Sequence, residues 1–246
     1  MSIYSSRDKV SALVKDVPLP RMFRVRQVFQ SPEIPSAKIR KVLEEKLVLD
    51  SGCIRMDGKR IAVAVGSRGI CNLPEIVRTV VDYLKDMGAS PFIVPSMGSH
   101  GGATAEGQKC VLRSLNITED TMNCPILSSM ETVCVGRNLV DKNAAEADGI
   151  VLIARIKPHT AFRGRYESGM MKMMAIGLAK QKGAERTHNE GVGNLAKNVY
   201  LNGKAVIDHC KVLFAVGILE NAYDQTAELH VVRAGDIEER EPGLLK

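Results

Sequence analysis

The fold is decided by the stretch KRIAVAVGSRGICNLPEIVRTVVDYLKDMGASPFIVP, residues 59–95, because it predicts strand, helix and strand in succession. The run KRIAVAVG (59–66) is apolar between a charged residue and a glycine, which is typical of a strand buried on both faces. Pro74 then stands in the first turn of a helix whose apolar residues recur at helical spacing until Gly88. A right-handed crossover makes the run PFIVP (91–95) parallel to the first strand.

Further strands and helices continue this pattern on both sides. Thr104 and Thr118 are expected to cap helices. Strands are predicted at MFRVRQVF (22–29), METVCVG (130–136), GIVLIARI (149–156), KVLFAVGIL (211–219) and AELHVVRA (227–234), the last near a sheet edge. The alternation predicts the α/β class, with a Rossmann-like, mostly parallel sheet that carries helices on both faces.

The composition is that of an ordinary globular protein, with 45% hydrophobic and 25% charged residues among 246. No apolar run approaches the roughly 20 residues of a membrane span, and the first residues lack the apolar region of a secretory signal. The six cysteines are scattered without a C-x-x-C pair, so we expect mainly buried, reduced thiols. These features predict a cytoplasmic location and no membrane partner.

The formal charge of +6 and the pI near 9.0 raise the question of nucleic acid. Aromatic residues make up only 4% of the chain, and no basic run is interleaved with them to stack bases. We therefore expect small anionic ligands and no nucleic-acid partner.

Three loops with reactive side chains follow three of the predicted strands. They bring Arg68, His100 and His159 to the carboxyl ends of those strands, where open α/β sheets bind ligands. Two histidines that face a small substrate from opposite sides suit a racemase or epimerase, since imidazole titrates near neutral pH. Arg68 could instead be a structural charge, and His100 could be a plain turn residue.

A glycine-rich stretch from Ile156 to His188 adds a lysine and a third histidine. Ser168 is expected to cap a helix, and Gly169 to let backbone N–H groups approach an anion. Lys172 follows, although the methionines around it are more typical of a core helix than of a cofactor site. A lone His188 would be a surface residue, because one histidine is not a metal site.

The glycine-rich loops do not match G-x-G-x-x-G or the Walker pattern, so ordinary NAD or ATP binding lacks its usual motif.

Taken together, the chain resembles the nickel-pincer-nucleotide-dependent lactate racemase family, specifically its N-terminal domain, also classed as a domain of unknown function (DUF2088). The resemblance is carried by PFIVPSMGSHGGATAEGQ, AAEADGIVLIARIKPHTAFRG and ESGMMKMMAIGLAKQKGA. It implies that residues 1–246 form this domain and that the family's C-terminal domain is absent, so the fragment alone is expected to be inactive.

The resemblance also implies residue roles. Lys172 would hold the cofactor, pyridinium-3-thioamide-5-thiocarboxylic acid mononucleotide, through a thioamide, with Ser168 and Gly169 beside it. His188 would be the protein ligand of its nickel, and His100 and His159 the acid/base pair. Arg68 would bind the substrate, a small 2-hydroxy acid that is oxidised by hydride abstraction from C2 and reduced again on either face.

The implied partners are this substrate and the proteins that make the cofactor. Val65 stands where the family has an acidic residue, and Gly69 where it has a proline, so the resemblance leaves the particular 2-hydroxy acid open. Two other functions remain open on the residues alone. One is a non-catalytic module that binds an anion or nucleotide, and the other is a conventional dehydrogenase.

Overall fold

The computed structural model describes residues 11–18, 20–51 and 56–246. The chain divides into two units, residues 1–30 and residues 31–246. In the first unit, the prediction of a strand at 22–29 is wrong, because these residues pair with no other strand and have no regular structure. Met22 and Phe23 are 86% and 84% exposed, so the alternation of apolar and basic residues buries no face here.

The second unit starts with a 3-10 turn (Ser36–Lys38) that continues into helix α1 (Ile39–Asp50). Strand β1 (Arg60–Val65), helix α2 (Leu73–Asp86) and strand β2 (Ser90–Pro95) follow, which confirms the predicted strand, helix and strand. After a 3-10 turn (Gly101–Ala103) come helices α3 (Ala105–Ser114) and α4 (Glu119–Met122). Both expected caps are present, since Thr104 accepts from Gly107 N–H and Thr118 from Thr121 N–H.

The hairpin of β3 (Thr132–Val135) and β4 (Asn138–Asp141) lies outside the main sheet and leads through helix α5 (Lys142–Ala145) to strand β5 (Gly149–Arg155). Helix α6 (Met170–Lys172) continues as a π-helical turn (Met173–Gly177), followed by helix α7 (Lys180–Asn189), a 3-10 turn (Val192–Asn194) and helix α8 (Leu195–His209). Strands β6 (Val212–Glu220) and β7 (Thr226–Arg233), a 3-10 turn (Ala234–Asp236) and helix α9 (Ile237–Leu244) complete the described part.

The main sheet has the order β2-β1-β5-β6-β7. Its first four strands are parallel, and β7 runs antiparallel to β6. The predicted position of β7 at an edge is confirmed. Val65 pairs with Pro95 of β2 and with Ile153 of β5, so the carboxyl ends of these three strands lie level at one edge. The α/β class and the mostly parallel sheet are confirmed.

Two hydrophobic cores lie on the two faces of this sheet. The side chains of β1 alternate between them: Val63 and Val65 face the core formed with α1 and α2, whereas Ala62 and Ala64 face the core formed with α6 and α8. Most of the methionines around Lys172 fill the second core, because Met170, Met171 and Met174 are fully buried. Their burial supports the core interpretation of the methionine-rich run.

Two expectations from composition can be compared with the described residues. Within them, no helix is long and apolar enough to cross a membrane. The cysteines among them are free, but Cys124 alone is buried, while Cys110 and Cys134 are exposed. The expectation of mainly buried thiols is therefore wrong for this part of the chain. Cys53 lies outside the described residues.

A fully buried lysine lies at the carboxyl end of β2. Lys180 has no exposed surface, and its ammonium lies 2.5 Å from Pro95 O, 3.0 Å from Gln108 Oε1 and 3.0 Å from Asp141 Oδ2. These three acceptors match the three N–H donors of an ammonium. Burial raises the pKa of Asp141 and lowers the pKa of Lys180, so each charge depends on the other.

Removing this ammonium should destabilise the fold strongly. We expect Lys180→Met to cost about 3–5 kcal/mol in the free energy of unfolding, because Asp141 is left as an unpaired buried carboxylate. Urea denaturation measures the loss, and Lys182→Met, at an exposed lysine of the same helix, should change it by less than about 0.5 kcal/mol.

The double variant Asp141→Asn/Lys180→Met removes both charges and should recover part of the lost stability. Equal stability of Lys180→Met and Lys182→Met would contradict the role of the buried ion pair.

Candidate active site

A cleft of about 480 Å³ lies at the carboxyl ends of β1, β2 and β5. Its walls come from the loops that follow these strands, residues 66–70, 96–100 and 157–160, and from the segment around α6 and α7. This is the edge at which open parallel sheets bind ligands. The convergence of the three loops, inferred from the predicted topology, is thus present in the structure.

All seven residues selected from the sequence line this one cleft. They come from five separate segments of the chain and meet only because the sheet aligns the strand ends. They are Arg68, His100, His159, Ser168, Gly169, Lys172 and His188.

The charges on the cleft wall are all basic. Arg155 and Lys157 also line it, together with Arg68, Lys172 and the three histidines, whereas the lining contains no aspartate or glutamate. Arg155 is paired with Glu220, which lies behind the wall. The other cations have no such partner among the described residues, so the cleft favours an anionic ligand.

Lys172 lies at the junction of α6 and the π-helical turn, with its side chain partly buried. Burial, together with the neighbouring charges of Arg68 and Lys157, lowers the pKa of its ammonium to about 8. A substantial fraction of this amine is therefore neutral at physiological pH, unlike that of an ordinary lysine.

His100 follows β2 in a loop of fixed shape. Its Nδ1 is hydrogen-bonded to Ser67 Oγ, and its backbone carbonyl accepts from Gln108 Nε2 at 3.3 Å. The next residue, Gly101, has φ of +68°, and a Cβ there would lie 2.5 Å from the backbone of Gly107, so this turn requires glycine. Burial, then the charges of Arg68 and Lys172, lower the pKa of His100, which keeps its imidazole neutral.

His159 is held at both its backbone and its ring. Its N–H donates to Glu167 Oε2 at 2.6 Å, and its Nδ1 accepts from Ala161 N–H at 3.1 Å. Because Nδ1 accepts, the proton of the neutral ring resides on Nε2. Burial and the charge of Lys172 lower the pKa of His159 as well.

His100 and His159 therefore differ in the protonation of the Nε2 atom of each ring. Ser67 has a hydroxyl, which can donate to or accept from His100 Nδ1, so His100 Nε2 can be either a base or an acid. His159 presents Nε2–H as a donor. A base and a hydrogen-bond donor in one cleft suit a proton-transfer site.

The prediction that Ser168 caps a helix is wrong. Helix α6 begins after Gly169, and the backbone of Ser168 pairs with that of Lys157, while its side chain makes no cap hydrogen bond. The first N–H groups of α6 are occupied by a carboxylate of the chain itself, since Met171 N–H donates to Glu241 Oε2 at 2.9 Å. The N–H groups of Met170 and Met171 are therefore taken by Glu241 and are not available to an external anion.

Glu241 explains instead why residue 169 is glycine. A Cβ at Gly169 would lie 2.2 Å from Glu241 Oε1. Glu241 is 1% exposed, and burial raises the pKa of its carboxyl to about 7. This residue of α9 thus fixes the segment that carries Lys172.

His188 lies in the last turn of α7 with an exposed side chain on the cleft wall. Its proximity contributes to the lowered pKa of His159. Among the described residues no three His, Cys, Asp or Glu side chains form a group that could hold a metal ion. A metal at His188 would therefore need ligands from a bound cofactor.

Several residues that shape the site were missed by sequence reasoning. Lys157 and Ser67 directly follow strands, and the rule that selected His159 and Arg68 could have found them. Gln108, Lys180 and Glu241 do not line the cleft but hydrogen-bond to segments that do. Nothing in the local sequence indicates these contacts.

A family model described as a domain of unknown function (DUF362) matches residues 62–239. The chain belongs to the DUF362 family. This domain spans the sheet and the cleft, and it is not the family named from the sequence. No curated protein matches the chain.

Among solved structures, this DUF362 chain is similar to the lactate racemase apoprotein from Thermoanaerobacterium thermosaccharolyticum, with a TM-score of 0.59 and 13% identity. The similarity covers 90% of this chain and 57% of the racemase, so the chain spans little more than half of that protein. At this identity the comparison supports a lactate-racemase-like fold, which confirms the fold part of the resemblance.

The buried carboxyl of Glu241 should make stability depend on pH. Its pKa of about 7 in the folded state lies above the ordinary value of 4.5, so the folded chain binds the proton more tightly and loses stability as the pH rises between these values. Glu241→Gln should lack this loss, which amounts to roughly 3 kcal/mol.

Urea denaturation near pH 5 and near pH 8 measures the difference between variant and wild type. Glu239→Gln, at an exposed carboxyl of the same helix, serves as the control and should keep the wild-type pH dependence. A wild type and a Glu241→Gln variant that lose stability in parallel would refute the raised pKa.

Proposed function

We propose that the protein is a racemase or epimerase of a 2-hydroxy acid that works with a nickel-pincer nucleotide, an isomerase of the lactate racemase type. One observation carries the proposal. His100, His159, Lys172 and His188 meet in a single cleft without carboxylates, at the carboxyl edge of a lactate-racemase-like sheet.

The residues of the cleft fit such a cofactor. Lys172 has an amine that is partly neutral and can be acylated, which a thioamide tether requires. Arg68 and Lys157 can pair with a phosphate or a carboxylate. His188 stands alone as a metal ligand, which suits a group that brings its other ligands with it.

When bound, that group would supply a reversible acceptor for the C2 hydride of the substrate. The chain would supply the proton transfers and the binding of the carboxylate. Arg68, exposed on the β1 loop, would pair with the substrate carboxylate through its planar guanidinium.

The protons would move through the two histidines. With Nδ1–H donated to Ser67, His100 has a free Nε2 that can take the proton of the C2 hydroxyl. His159 would hydrogen-bond the other side of the same oxygen through Nε2–H, and His100, protonated at Nε2 in the first step, would return the proton in the reverse direction. Their lowered pKa values keep one ring available as a base at neutral pH.

A second candidate is a non-catalytic module that binds an anion or nucleotide. The charged residues that line the cleft are all basic, and this favours the binding module as much as it favours the isomerase. The two functions differ in Lys172, which would be covalently modified in the isomerase and unmodified in the binding module.

The test is intact-mass spectrometry with a nickel assay on the protein at its full natural length, co-expressed with cofactor-making enzymes. We expect added covalent mass and bound nickel that both disappear in Lys172→Ala and persist in Lys182→Ala. His188→Ala should keep the added mass and lose most of the nickel, because the tether and the metal ligand are separate residues.

A known racemase loaded in the same cells controls for cofactor supply. If that control is loaded while the protein carries neither adduct nor nickel, the isomerase is refuted and the anion-binding module is favoured.

A further inference from the structure

Among the described residues, the ammonium of Lys172 lacks the kind of partners that Lys180 and Lys204 have. Lys180 has three acceptors, and Lys204 is paired with Asp208 and Glu238. In the described part of the chain, Lys172 has neither a carboxylate nor a hydrogen-bond acceptor for its ammonium. It nevertheless lines an open cleft that solutes can enter.

The surroundings of this amine favour its neutral, nucleophilic form. Burial and the charges of Arg68 and Lys157 together lower the pKa of Lys172 to about 8. Near pH 7.5 this gives roughly 200 times more free amine than in a lysine of ordinary pKa. A lysine desolvated beside other cations is the arrangement that activates an amine for attack on carbonyl carbon.

The same cations select the partner of the amine. Arg68 and Lys157 lie close enough to act on Lys172, and the lining contains no carboxylate to neutralise them. A ligand that has both a carbonyl group and a carboxylate would place its negative charge between these cations and its carbonyl at the amine.

We propose that Lys172, when it bears no cofactor, condenses with anionic carbonyl compounds, namely 2-oxo acids and aldehydes that carry a carboxylate, to form an imine. This activity goes beyond the proposed isomerase, because it requires neither metal nor nucleotide. It uses the same amine, so an imine and a cofactor tether exclude each other.

The reaction is a condensation that needs no oxidant or reductant. The Nζ lone pair attacks the carbonyl carbon, a C–N bond forms, and the carbonyl oxygen takes up a proton. The carbinolamine then loses this oxygen as water, with the two hydrogens of the amine accounting for its protons, and a C=N bond remains.

The histidines of the cleft can serve both proton transfers. His100, with Nδ1–H donated to Ser67, can take a proton from the nitrogen at its Nε2 and return it to the departing hydroxyl group, which leaves as water. His159 can stabilise that hydroxyl group by donating a hydrogen bond from Nε2–H.

The experiment traps the imine by reduction. Protein whose intact mass shows an unmodified Lys172 is incubated with glyoxylate and cyanoborohydride, which converts an imine to carboxymethyl-lysine, and the labelled lysines are mapped by peptide mass spectrometry. We expect Lys172 to be labelled at least about tenfold faster than the average of the other lysines.

Variants of the flanking cations test the selection of the anion. Arg68→Gln and Lys157→Gln, both at exposed positions, should each slow labelling of Lys172 by roughly two- to fivefold. Labelling with glycolaldehyde, a neutral aldehyde of similar size, should slow less in these variants, because losing a cation only raises the pKa of Lys172 and removes no partner of this aldehyde. Lys172→Arg should show only the background of the other lysines.

Two results would overturn the proposal. One is labelling of Lys172 no faster than that of the exposed Lys182, and the other is an equal response of glyoxylate and glycolaldehyde to the loss of Arg68 and Lys157. Either result leaves the isomerase untouched, because that function is tested by the nickel and the adduct of the loaded protein.

Discussion

The ion pair of Lys180 with Asp141 holds together the parts of the chain that form the cleft. Lys180 has φ of +54°, a left-handed conformation that is costly for a lysine, and it has no contact with solvent. Its ammonium joins the end of β2, helix α3 through Gln108, and the end of β4 through Asp141. Gln108 in turn donates to the backbone carbonyls of Gly98 and His100. A buried charge without water must keep all its partners, so this contact gives the His100 loop a single shape.

Acidic and basic side chains lie on different sides of the cleft wall. The carboxyl groups that stabilise the cleft lie behind its wall and bind backbone N–H groups or buried cations; they are those of Asp141, Glu167, Glu220 and Glu241. The cations face the open side. Because the carboxyl groups behind the wall are already engaged, the cleft keeps a positive potential, which adds to burial in lowering the pKa values of Lys172 and of both histidines near it.

Sequence reasoning could predict the parts of the fold that depend on local pattern. The β1, α2, β2 unit, the edge position of β7 and the strand-end positions of Arg68, His100 and His159 all follow from periodicity and from the rule for parallel sheets. Segment 22–29 shows the limit of that reasoning, since an alternating pattern forms a strand only where another strand pairs with it. The cap expected from Ser168 failed for a related reason. Glu241, more than seventy residues away in sequence (241 minus 168), occupies the N–H groups of α6, and no local pattern indicates such a contact.

The most direct test of the proposed chemistry follows the hydrogen at C2. Protein loaded with cofactor is incubated with single-enantiomer 2-hydroxy acids that carry deuterium at C2, and chiral chromatography with mass spectrometry follows inversion and isotope content. Hydride transfer predicts inversion of at least one acid with deuterium retained at C2, and loss of inversion in His100→Asn and in His159→Asn. Inversion with exchange of deuterium into solvent would contradict it, because the two histidines would then remove the C2 hydrogen as a proton.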